Sequence, residues 1–378
     1  MRILYCAIDQ TVPGTTGGSV HVAAVAEGLA ALGHDVKVLV SPGDGPFPGG
    51  GVTWTPMTAP FGAPQLRWLR RRAVERAARE FGAEVVIERY YNFGGEGIAT
   101  ARANRLKAVL EVNAPVIDYV GSPKAWLDRA LLVQPMRRWR ERLCAEADLI
   151  VSPSAAILPP GTPRQKVVEL EWGADTDRFR PHRPEPAPYR RPAPVVAVFA
   201  GAFRRWHGAV HLVHAMRDLR QRGRTDVGAL FVGDGPELGR TKQAASDLEG
   251  ITFTGAVPHA QMPAYLAAAD IGVAPFDVSA HRALSLGFYW SPLKIFEYMA
   301  VGLPVVAPSV DRIPALVGHE HEGILYDHDA PGALAATLER LCDGPLRVRL
   351  GAAGRARAVR EYSWKAHCAA LADAIARL

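Results

Sequence analysis

Residues 2–40 read RILYCAIDQTVPGTTGGSVHVAAVAEGLAALGHDVKVLV, and they combine an apolar run, a glycine-bearing loop, a helical stretch and a second apolar run. Four apolar side chains recur at the i, i+3, i+4 and i+7 positions of one helix face, namely Val22, Val25, Ala26 and Leu29. Gly33 is placed to cap this helix, and residues 35–40 follow it as a strand. A strand–helix–strand opening of this kind predicts a parallel sheet.

Further strand-length apolar runs fall into two groups, one before and one after a proline-rich stretch. The first group lies at 84–87, 108–112 and 147–152, and the second begins at 195–199. Between them, residues 180–194 contain six prolines, which cannot sustain a helix or a central strand. The predicted organisation is a Rossmann-like α/β domain at 1–178, a linker at 179–194, a second Rossmann-like domain at 195–360, and a C-terminal helix at 361–378 that packs toward the first domain.

The composition is that of a globular protein, with 378 residues of which 48% are hydrophobic. No apolar stretch approaches the ~18–20 residues that span a bilayer, and the opening residues are too short and too polar for a signal peptide. The four cysteines lie far apart without C-x-x-C spacing, which predicts a reducing, cytoplasmic location. A net charge of +6 suits anionic ligands but is too small to indicate nucleic acid.

Two arginine-rich stretches stand out, RWLRRR at 67–72 and RRWR at 137–140, both in predicted helices. Either they are solvated helix faces with a packed tryptophan, or they contact an acidic acceptor or a membrane surface. The second interpretation would place the protein peripherally at the inner face of the cytoplasmic membrane.

The most informative motif is SPLKIFEYMAVGLPVVA at 291–307. Ser291 suits the N-cap of a helix, and Pro292 suits its first position, where a missing N–H costs nothing. The positive end of the helix then attracts an anion. Lys294 and Glu297 lie three residues apart on one face, where an ammonium suits a diphosphate and a carboxylate suits vicinal hydroxyls. A capped helix with an exposed Lys–Glu pair is the alternative.

Two glycine-bearing loops follow predicted strands. Residues 201–208, GAFRRWHG, combine turn glycines with two arginines that can bind phosphates, or they form a surface loop with a half-buried tryptophan. Residues 14–19, GTTGGS, let backbone N–H groups approach a ligand, or they form a plain tight turn. They do not match G-x-G-x-x-G, so they predict no dinucleotide site.

In their order and spacing these segments resemble family 4 of the retaining glycosyltransferases, which have the GT-B fold, two Rossmann-like domains whose parallel sheets face across a cleft. The likeness rests on 17–22 with 33–36, on EWGADTDRFRP at 171–181, on 201–208, on GDGP at 233–236 and on 291–307. It covers nearly the whole chain, and the motif at 291–307 is its most specific part.

The resemblance implies an acceptor-binding first domain and a donor-binding second domain. It implies catalytic roles for Arg204, Lys294 and Glu297, the two cations on the diphosphate and the carboxylate on the ribose. Other implied donor contacts are Gly17, Gly18, Gly201, Arg205, His207, Gly233, Val257, Ser291, Pro292 and Leu293. Residues expected near the sugar or the acceptor are His21, Glu88, Arg89 and Asn113. A packed helix position for His21, and a buried ion pair for Glu88 and Arg89, are the alternatives.

Four positions depart from the family pattern. Tyr289 replaces the first Glu of an E-x7-E pair that ends at Glu297, Ala202 replaces an Arg, His207 replaces a Lys, and Asn113 replaces a His. Many members with the Ser-Pro-Leu-Lys form share such changes. We interpret them as marks of a subgroup with altered contacts to the donor sugar.

No metal and no cofactor is expected. Asp175-Thr176-Asp177 and Asp327-His328-Asp329 spell D-x-D, but one lies in the crossover between domains and the other near the C-terminal helices. The twelve histidines show no H-E-x-x-H or similar ligand spacing.

The sequence thus predicts a metal-independent, retaining glycosyltransferase. It would move a hexosyl-type sugar from a nucleotide-diphosphate sugar, with UDP favoured, to a hydroxyl of a small-molecule, saccharide or lipid-linked acceptor. The phosphate that leaves would take the acceptor's proton, so that no protein nucleophile is needed. A nucleotide-sugar epimerase of the same fold and a non-catalytic nucleotide-sugar-binding protein are the alternatives.

Overall fold

The structure is a computed structural model that describes residues 1–14, 16–119, 121–130, 134–182 and 187–378. Part of the predicted linker, residues 183–186, lies outside the described residues, as does Thr15 of the first glycine loop. The side chain of Arg137 also lies outside them.

The chain divides into two compact units. The N-terminal unit contains Met1–Trp172, Tyr289–Ser291 and Trp364–Leu378, and the C-terminal unit contains Gly173–Phe288 and Pro292–Ser363. The chain therefore passes between the units several times. The domain limits inferred from the sequence stay a prediction.

The N-terminal unit is built on a parallel sheet of seven strands in the order β3-β2-β1-β4-β5-β6-β7. The strands are β1 (Arg2–Val12), β2 (Asp35–Pro42), β3 (Thr53–Pro56), β4 (Val85–Arg89), β5 (Lys107–Glu111), β6 (Leu149–Ser152) and β7 (Val167–Glu169). The α-helices in the first part of this unit are α1 (Gly17–Ala31), α2 (Arg71–Phe81), α3 (Glu96–Asn104), α4 (Pro123–Ala130) and α5 (Gln134–Glu146).

The C-terminal unit repeats this plan with six parallel strands in the order β10-β9-β8-β11-β12-β13. The strands are β8 (Val195–Ala200), β9 (Val227–Val232), β10 (Ile251–Gly255), β11 (Ile271–Val273), β12 (Val305–Pro308) and β13 (Gly323–Tyr326). Its α-helices are α6 (Ala209–Gln221), α7 (Leu238–Ala244), α8 (Met262–Ala267), α9 (Leu293–Ala300), α10 (Ile313–Leu316), α11 (Ala333–Arg340) and α12 (Gly344–Glu361).

Two parallel α/β sheets confirm the predicted fold class. In each sheet the first strand sits centrally and the strand order reverses beside it, between β1 and β4 and between β8 and β11. Loops that follow the carboxyl ends of strands at such a reversal form the usual ligand crevice of open α/β sheets. The loops after β8, β9 and β11 are therefore the expected position of a ligand-binding site in the C-terminal unit.

The last helix, α13 (Trp364–Ala376), belongs to the N-terminal unit and packs against α1. The approach is close, because a Cβ added at Gly28 would lie 2.4 Å from Sγ of Cys368. Leu371 and Ile375 join the core beneath the first sheet. The predicted return of the C-terminal helix to the first domain is confirmed.

Arg67 is buried, and the expectation of a solvated or membrane-facing side chain is wrong for it. Its Nε lies 2.5 Å from Oε1 of Glu96, and its Nη1 lies 2.5 Å from Oδ1 of Asp9. Its Nη2 lies 3.6 Å from Oε1 of Glu88. The guanidinium enters the protein because it offsets the carboxylates of Asp9 and Glu96, with Glu88 beside it, near the carboxyl ends of β1 and β4. Arg140 of the second arginine-rich stretch is also buried, with Nη1 3.5 Å from Oδ1 of Asp118.

We expect Arg67→Met to lower the free energy of unfolding of the N-terminal unit by about 3–5 kcal/mol, because it leaves buried carboxylates without their cation. The exposed Arg72 is a matched control on the same stretch, and Arg72→Met should change that free energy by less than ~0.5 kcal/mol. Urea unfolding followed by circular dichroism measures both. Equal losses in the two variants would contradict this account of Arg67.

Candidate active site

Helix α9 carries the motif at 291–307, and it begins one residue later than the sequence predicted. Pro292 is the N-cap, with φ −81° and ψ 75°, and helical residues begin at Leu293. Ser291 is not the cap: its hydroxyl donates to Oε2 of Glu171 at 2.7 Å and accepts from the Trp172 N–H at 3.0 Å. The predicted capping role of Ser291 is wrong because these N-terminal-unit partners already occupy its hydroxyl.

Lys294 on the first turn of α9 is buried, and its Nζ has no hydrogen-bond partner among the described residues. The ammonium lies 4.2 Å from the ring centre of Phe199 and 5.3 Å from that of Phe276. Burial lowers the pKa of Lys294 to about 7, against an opposing pull from Glu297. A buried amine that rests on aromatic faces without a hydrogen-bonded counter-ion is prepared to receive an anion.

Two glycines lie at the strand ends beside Lys294. Gly201 directly follows β8 with φ +122°, and a Cβ there would lie 3.6 Å from Nζ of Lys294. Gly233 directly follows β9 with φ +132°, and a Cβ there would lie 2.0 Å from the carbonyl oxygen of Gly201. The structure therefore brings Gly201, Gly233 and Lys294 together at one edge of the sheet, as the motifs predicted.

Tyr298 fixes α9 to that edge, and the sequence reasoning did not identify it. Its hydroxyl accepts from the Ala200 N–H at 2.8 Å and donates to the Val273 carbonyl at 3.3 Å. It thus joins the carboxyl ends of β8 and β11. Tyr298 is one turn beyond Lys294 on the same helix face, so it holds the ammonium in place. Its position four residues after Lys294, one helical turn further on the same face, was the sequence feature that could have identified it.

The loop at 201–208 contributes both charged and neutral groups. Arg204 and Arg205 are exposed to solvent. Burial and the neighbouring Lys294 lower the pKa of His207 to about 2, so the imidazole is neutral. Its Nδ1 contacts the carbonyl of Ala202. Because a carbonyl only accepts, Nδ1 carries the proton and Nε2 is left as an acceptor.

Glu297 lies one turn along α9 from Lys294, with a side chain that is 18% exposed. Its Oε1 is 3.6 Å from Nε2 of His259. Val257 lies half-buried on the loop that follows β10, the same loop that carries His259. Lys294, Glu297 and the loops after β8 and β9 lie in the C-terminal unit, whereas Gly17, Gly18 and Ser291 lie in the N-terminal unit. Their part in donor binding stays a prediction.

Gly17 and Gly18 begin α1, whose N-cap Thr16 accepts from the Ser19 N–H at 3.2 Å. A Cβ at Gly18 would lie 2.0 Å from Oε1 of Gln10 and 3.4 Å from Nη2 of Arg89. Their predicted contact with a ligand is not tested by these distances. A Cβ at Gly17 would make only ordinary contact with Trp172, at 3.5 Å.

Glu111 at the end of β5 is a hub that the sequence reasoning missed. Its carboxylate accepts from Arg89 Nη1 at 3.1 Å, from the Tyr5 hydroxyl and from the Asn113 amide, and it contacts Nε2 of His21. Burial alone would raise its pKa, but His21, Arg89 and Tyr5 outweigh burial and hold the pKa of Glu111 below its ordinary value. Burial lowers the pKa of His21.

The residues expected near the acceptor are mostly engaged within the N-terminal unit. Asn113 also accepts from Trp172 Nε1 at 2.7 Å, so both ends of its amide are used. His21 is buried and stacks on Trp172 with ring centres 4.4 Å apart. These contacts favour the packed position that was the alternative for His21.

Glu88 and Arg89 point to opposite faces of β4, so the structure does not bring them together. Glu88 is buried and accepts from the Ile98 N–H at 2.7 Å and from the Gly95 N–H, at the start of α3. Burial and the neighbouring Glu96 raise the pKa of Glu88 to about 8. Glu88 therefore supports α3 from inside the unit.

Among the described residues, no group of three or more His, Cys, Asp or Glu side chains is placed to hold a metal ion. The D-x-D pairs close local turns: Asp175 Oδ1 accepts from the Arg178 N–H at 3.1 Å, and Asp327 Oδ1 accepts from the Asp329 N–H at 3.0 Å.

None of the described helices has the length and apolar character that would let it cross a bilayer.

Two family models match the chain, and they agree with this arrangement. Residues 15–158 match the family described as Glycosyltransferase Family 4, and residues 194–344 match Glycosyl transferases group 1. Together the matches cover more than three quarters of the chain. The chain therefore carries a region of Glycosyltransferase Family 4 in its first half and a region of Glycosyl transferases group 1 in its second half.

Curated relatives are also transferases. A GDP-mannose-dependent alpha-(1-6)-phosphatidylinositol monomannoside mannosyltransferase of Mycobacterium tuberculosis is 32% identical over 221 residues, which cover 56% of either chain. The 2-deoxystreptamine glucosyltransferase of Streptomyces kanamyceticus is 29% identical over 248 residues, 61% of this chain and 60% of that one. The chain thus spans little more than half the length of these relatives.

Solved structures show the same fold. The structure of Anabaena Alr3699/HepE in complex with UDP and glucose aligns with a TM-score of 0.72 at 18% identity, over the full length of both chains. At that identity the likeness establishes the GT-B fold alone.

We expect Lys294→Met to raise the free energy of unfolding of the C-terminal unit at pH 6.5 by about 1–4 kcal/mol, because a thioether replaces a buried ammonium. The native pKa of about 7 lies below the ~10.4 of an unfolded lysine. Between these values the unfolded wild type binds more protons, so wild-type stability rises with pH and the gap should shrink by pH 9. Urea titrations at both pH values measure it, with the exposed Lys242→Met as control. A gap that does not change with pH would contradict the lowered pKa.

Proposed function

We propose that this protein is a retaining glycosyltransferase that moves a hexosyl-type sugar from a UDP-sugar to a hydroxyl acceptor without a metal ion. One observation carries the proposal: the buried Lys294 ammonium has no hydrogen-bond partner among the described residues and lies beside Gly201 at the carboxyl end of β8. A diphosphate supplies the negative charge that this position lacks.

The residues around Lys294 fit the remaining parts of a nucleotide-sugar. Glu297 lies one turn further along the same helix and is placed to accept from ribose hydroxyls. The loop that carries Val257 flanks the base, and Arg204 and Arg205 reach the phosphates from solvent. UDP is favoured because HepE, which shares the fold, was solved with UDP. GDP is the competing donor base, since the mycobacterial relative is named as GDP-mannose-dependent.

The proposed reaction breaks the bond between the anomeric carbon and the diphosphate oxygen and forms a bond from that carbon to the acceptor oxygen on the same face. The acceptor proton passes to the leaving phosphate oxygen. Lys294 and the arginines at 204 and 205 stabilise the negative charge that grows on the leaving diphosphate. His207, neutral and with a free acceptor nitrogen, suits a hydroxyl of the donor sugar better than a phosphate.

Two alternatives give different outcomes. An epimerase would convert the nucleotide-sugar without an acceptor, and nothing in the family matches or relatives supports it. A non-catalytic binding protein would bind nucleotide without turnover. The binding-protein alternative is kept because Tyr289 stands where the family pattern has its first Glu. Tyr289 is buried in the N-terminal unit, with its ring centre 4.6 Å from that of Trp290.

The names of the relatives give two kinds of acceptor. One acts on a phosphatidylinositol mannoside and the other on 2-deoxystreptamine. A lipid-linked acceptor would suit a peripheral membrane contact through the N-terminal unit. Its exposed apolar side chain Leu69 lies two residues before the exposed Arg71 and Arg72, and the exposed Phe61 lies eight residues before Leu69.

Calorimetric titration with UDP, GDP and ADP, with and without EDTA, tests the donor proposal. We expect one diphosphate, UDP, to bind tightly and to be unaffected by EDTA. Lys294→Ala and Glu297→Ala should each weaken it by roughly 10–100-fold, as loss of a charged hydrogen bond does. The exposed Lys242→Ala and Glu249→Ala are matched controls that should leave affinity unchanged. Binding of none of the nucleotides, or binding that EDTA abolishes, would refute the proposal.

Vesicle co-sedimentation tests the membrane contact. We expect the protein to sediment with vesicles that contain phosphatidylglycerol and not with phosphatidylcholine alone, because arginines and exposed apolar side chains act together. The double variant Leu69→Asp, Arg71→Glu should lose most of this binding. Val348→Asp, at an exposed apolar position of the C-terminal unit, serves as the control. Absence of binding to either vesicle would favour a soluble acceptor.

A further inference from the structure

Three side chains of the C-terminal unit form a row that ends at Glu297. Nη1 of Arg178 lies 3.5 Å from Nδ1 of His259, and Nε2 of His259 lies 3.6 Å from Oε1 of Glu297. Arg178 precedes the first strand of its unit by sequence, while His259 follows β10 and Glu297 lies on α9. The row therefore joins three separate segments.

The chemistry of arginine fixes the direction of this row. A guanidinium donates hydrogen bonds and cannot accept them, so Nδ1 of His259 is the acceptor. In the neutral imidazole the proton then resides on Nε2, which faces the carboxylate of Glu297. Arg178 thus selects the tautomer of His259 that presents an N–H to one oxygen of Glu297.

The imidazole of His259 also contacts a side chain outside the row. The ring of the buried Phe179 lies 5.7 Å from the His259 ring. The backbone of this segment is anchored, since the Phe179 N–H donates to the Asp175 carbonyl at 2.7 Å and its carbonyl accepts from Arg355 Nη1 at 2.7 Å. His259 itself is 45% exposed, so the row reaches the surface where a ligand arrives.

We propose that His259 is a positioning residue for the ribose of the donor. Its Nε2–H lies 3.6 Å from one oxygen of Glu297 and forms a hydrogen bond to it when the donor binds, so that the other oxygen is oriented to accept from a ribose hydroxyl. This inference rests on the proposed function, because it deepens the role given to Glu297. His259 contributes to recognition through Glu297, so its effect depends on the ligand having hydroxyls at the 2′ and 3′ positions.

The test compares UDP with 2′,3′-dideoxy-UDP by calorimetry. Wild-type protein should prefer UDP. His259→Ala should weaken UDP roughly tenfold and leave the affinity for the dideoxy analogue unchanged, because only the ribose hydroxyls report the orientation of Glu297. His259→Gln should restore most of the loss, since its amide offers an N–H to Glu297 and an oxygen to Arg178. His214→Ala, at an exposed histidine of the same unit, is the control.

A double-mutant cycle separates the two proposals. If His259 acts through Glu297, adding His259→Ala to Glu297→Ala should cause no further loss of UDP affinity. Additive losses, equal losses for both ligands, or no loss in His259→Ala would overturn the role of His259 while Glu297 remains the ribose ligand. A wild-type protein that does not distinguish the two ligands, or a Glu297→Ala variant that still does, would instead refute the proposed ribose site.

Discussion

The contact of the Lys294 ammonium with two aromatic rings is the interaction on which the strand ends of the C-terminal unit depend. Lys294 rests on Phe199 and Phe276, and its Nζ finds no hydrogen-bond partner in the described residues. Burial disfavours the charged form and lowers the pKa of Lys294. Gly201 lies beside the amine at the end of β8, and Tyr298 fixes its helix to two strand ends. These contacts hold the amine at the strand ends, where an anionic ligand would stabilise its charge.

The N-terminal unit treats buried charge in the opposite way. Glu111 is contacted by four polar side chains, and Arg67 by three carboxylates, so their partners are already supplied by the protein. Clusters of this kind rigidify a scaffold, whereas an unpartnered group is available to a ligand. This contrast fits the proposed division of work, in which the C-terminal unit binds the donor diphosphate by charge and the N-terminal unit binds the acceptor.

Sequence patterns predicted what depends on local spacing. Apolar periodicity gave the two parallel sheets, and the Lys294–Glu297 spacing gave a shared helix face. Contacts between distant segments could not be predicted in this way. Arg67 sits in a charged run typical of a solvated helix, yet carboxylates on other elements draw it inside. Ser291 has the residue type of a cap, but partners 119 and 120 positions away occupy its hydroxyl.

Helix α13 has a consequence for the order in which the chain can fold. It supplies part of the core of the N-terminal unit, yet it is translated after the whole C-terminal unit. Synthesis proceeds at ~5–20 residues per second and domains fold as they emerge. The N-terminal unit therefore lacks Leu371 and Ile375 from its core while the C-terminal unit is translated. During that interval the apolar side chains that α13 covers are exposed, which favours aggregation of the nascent chain.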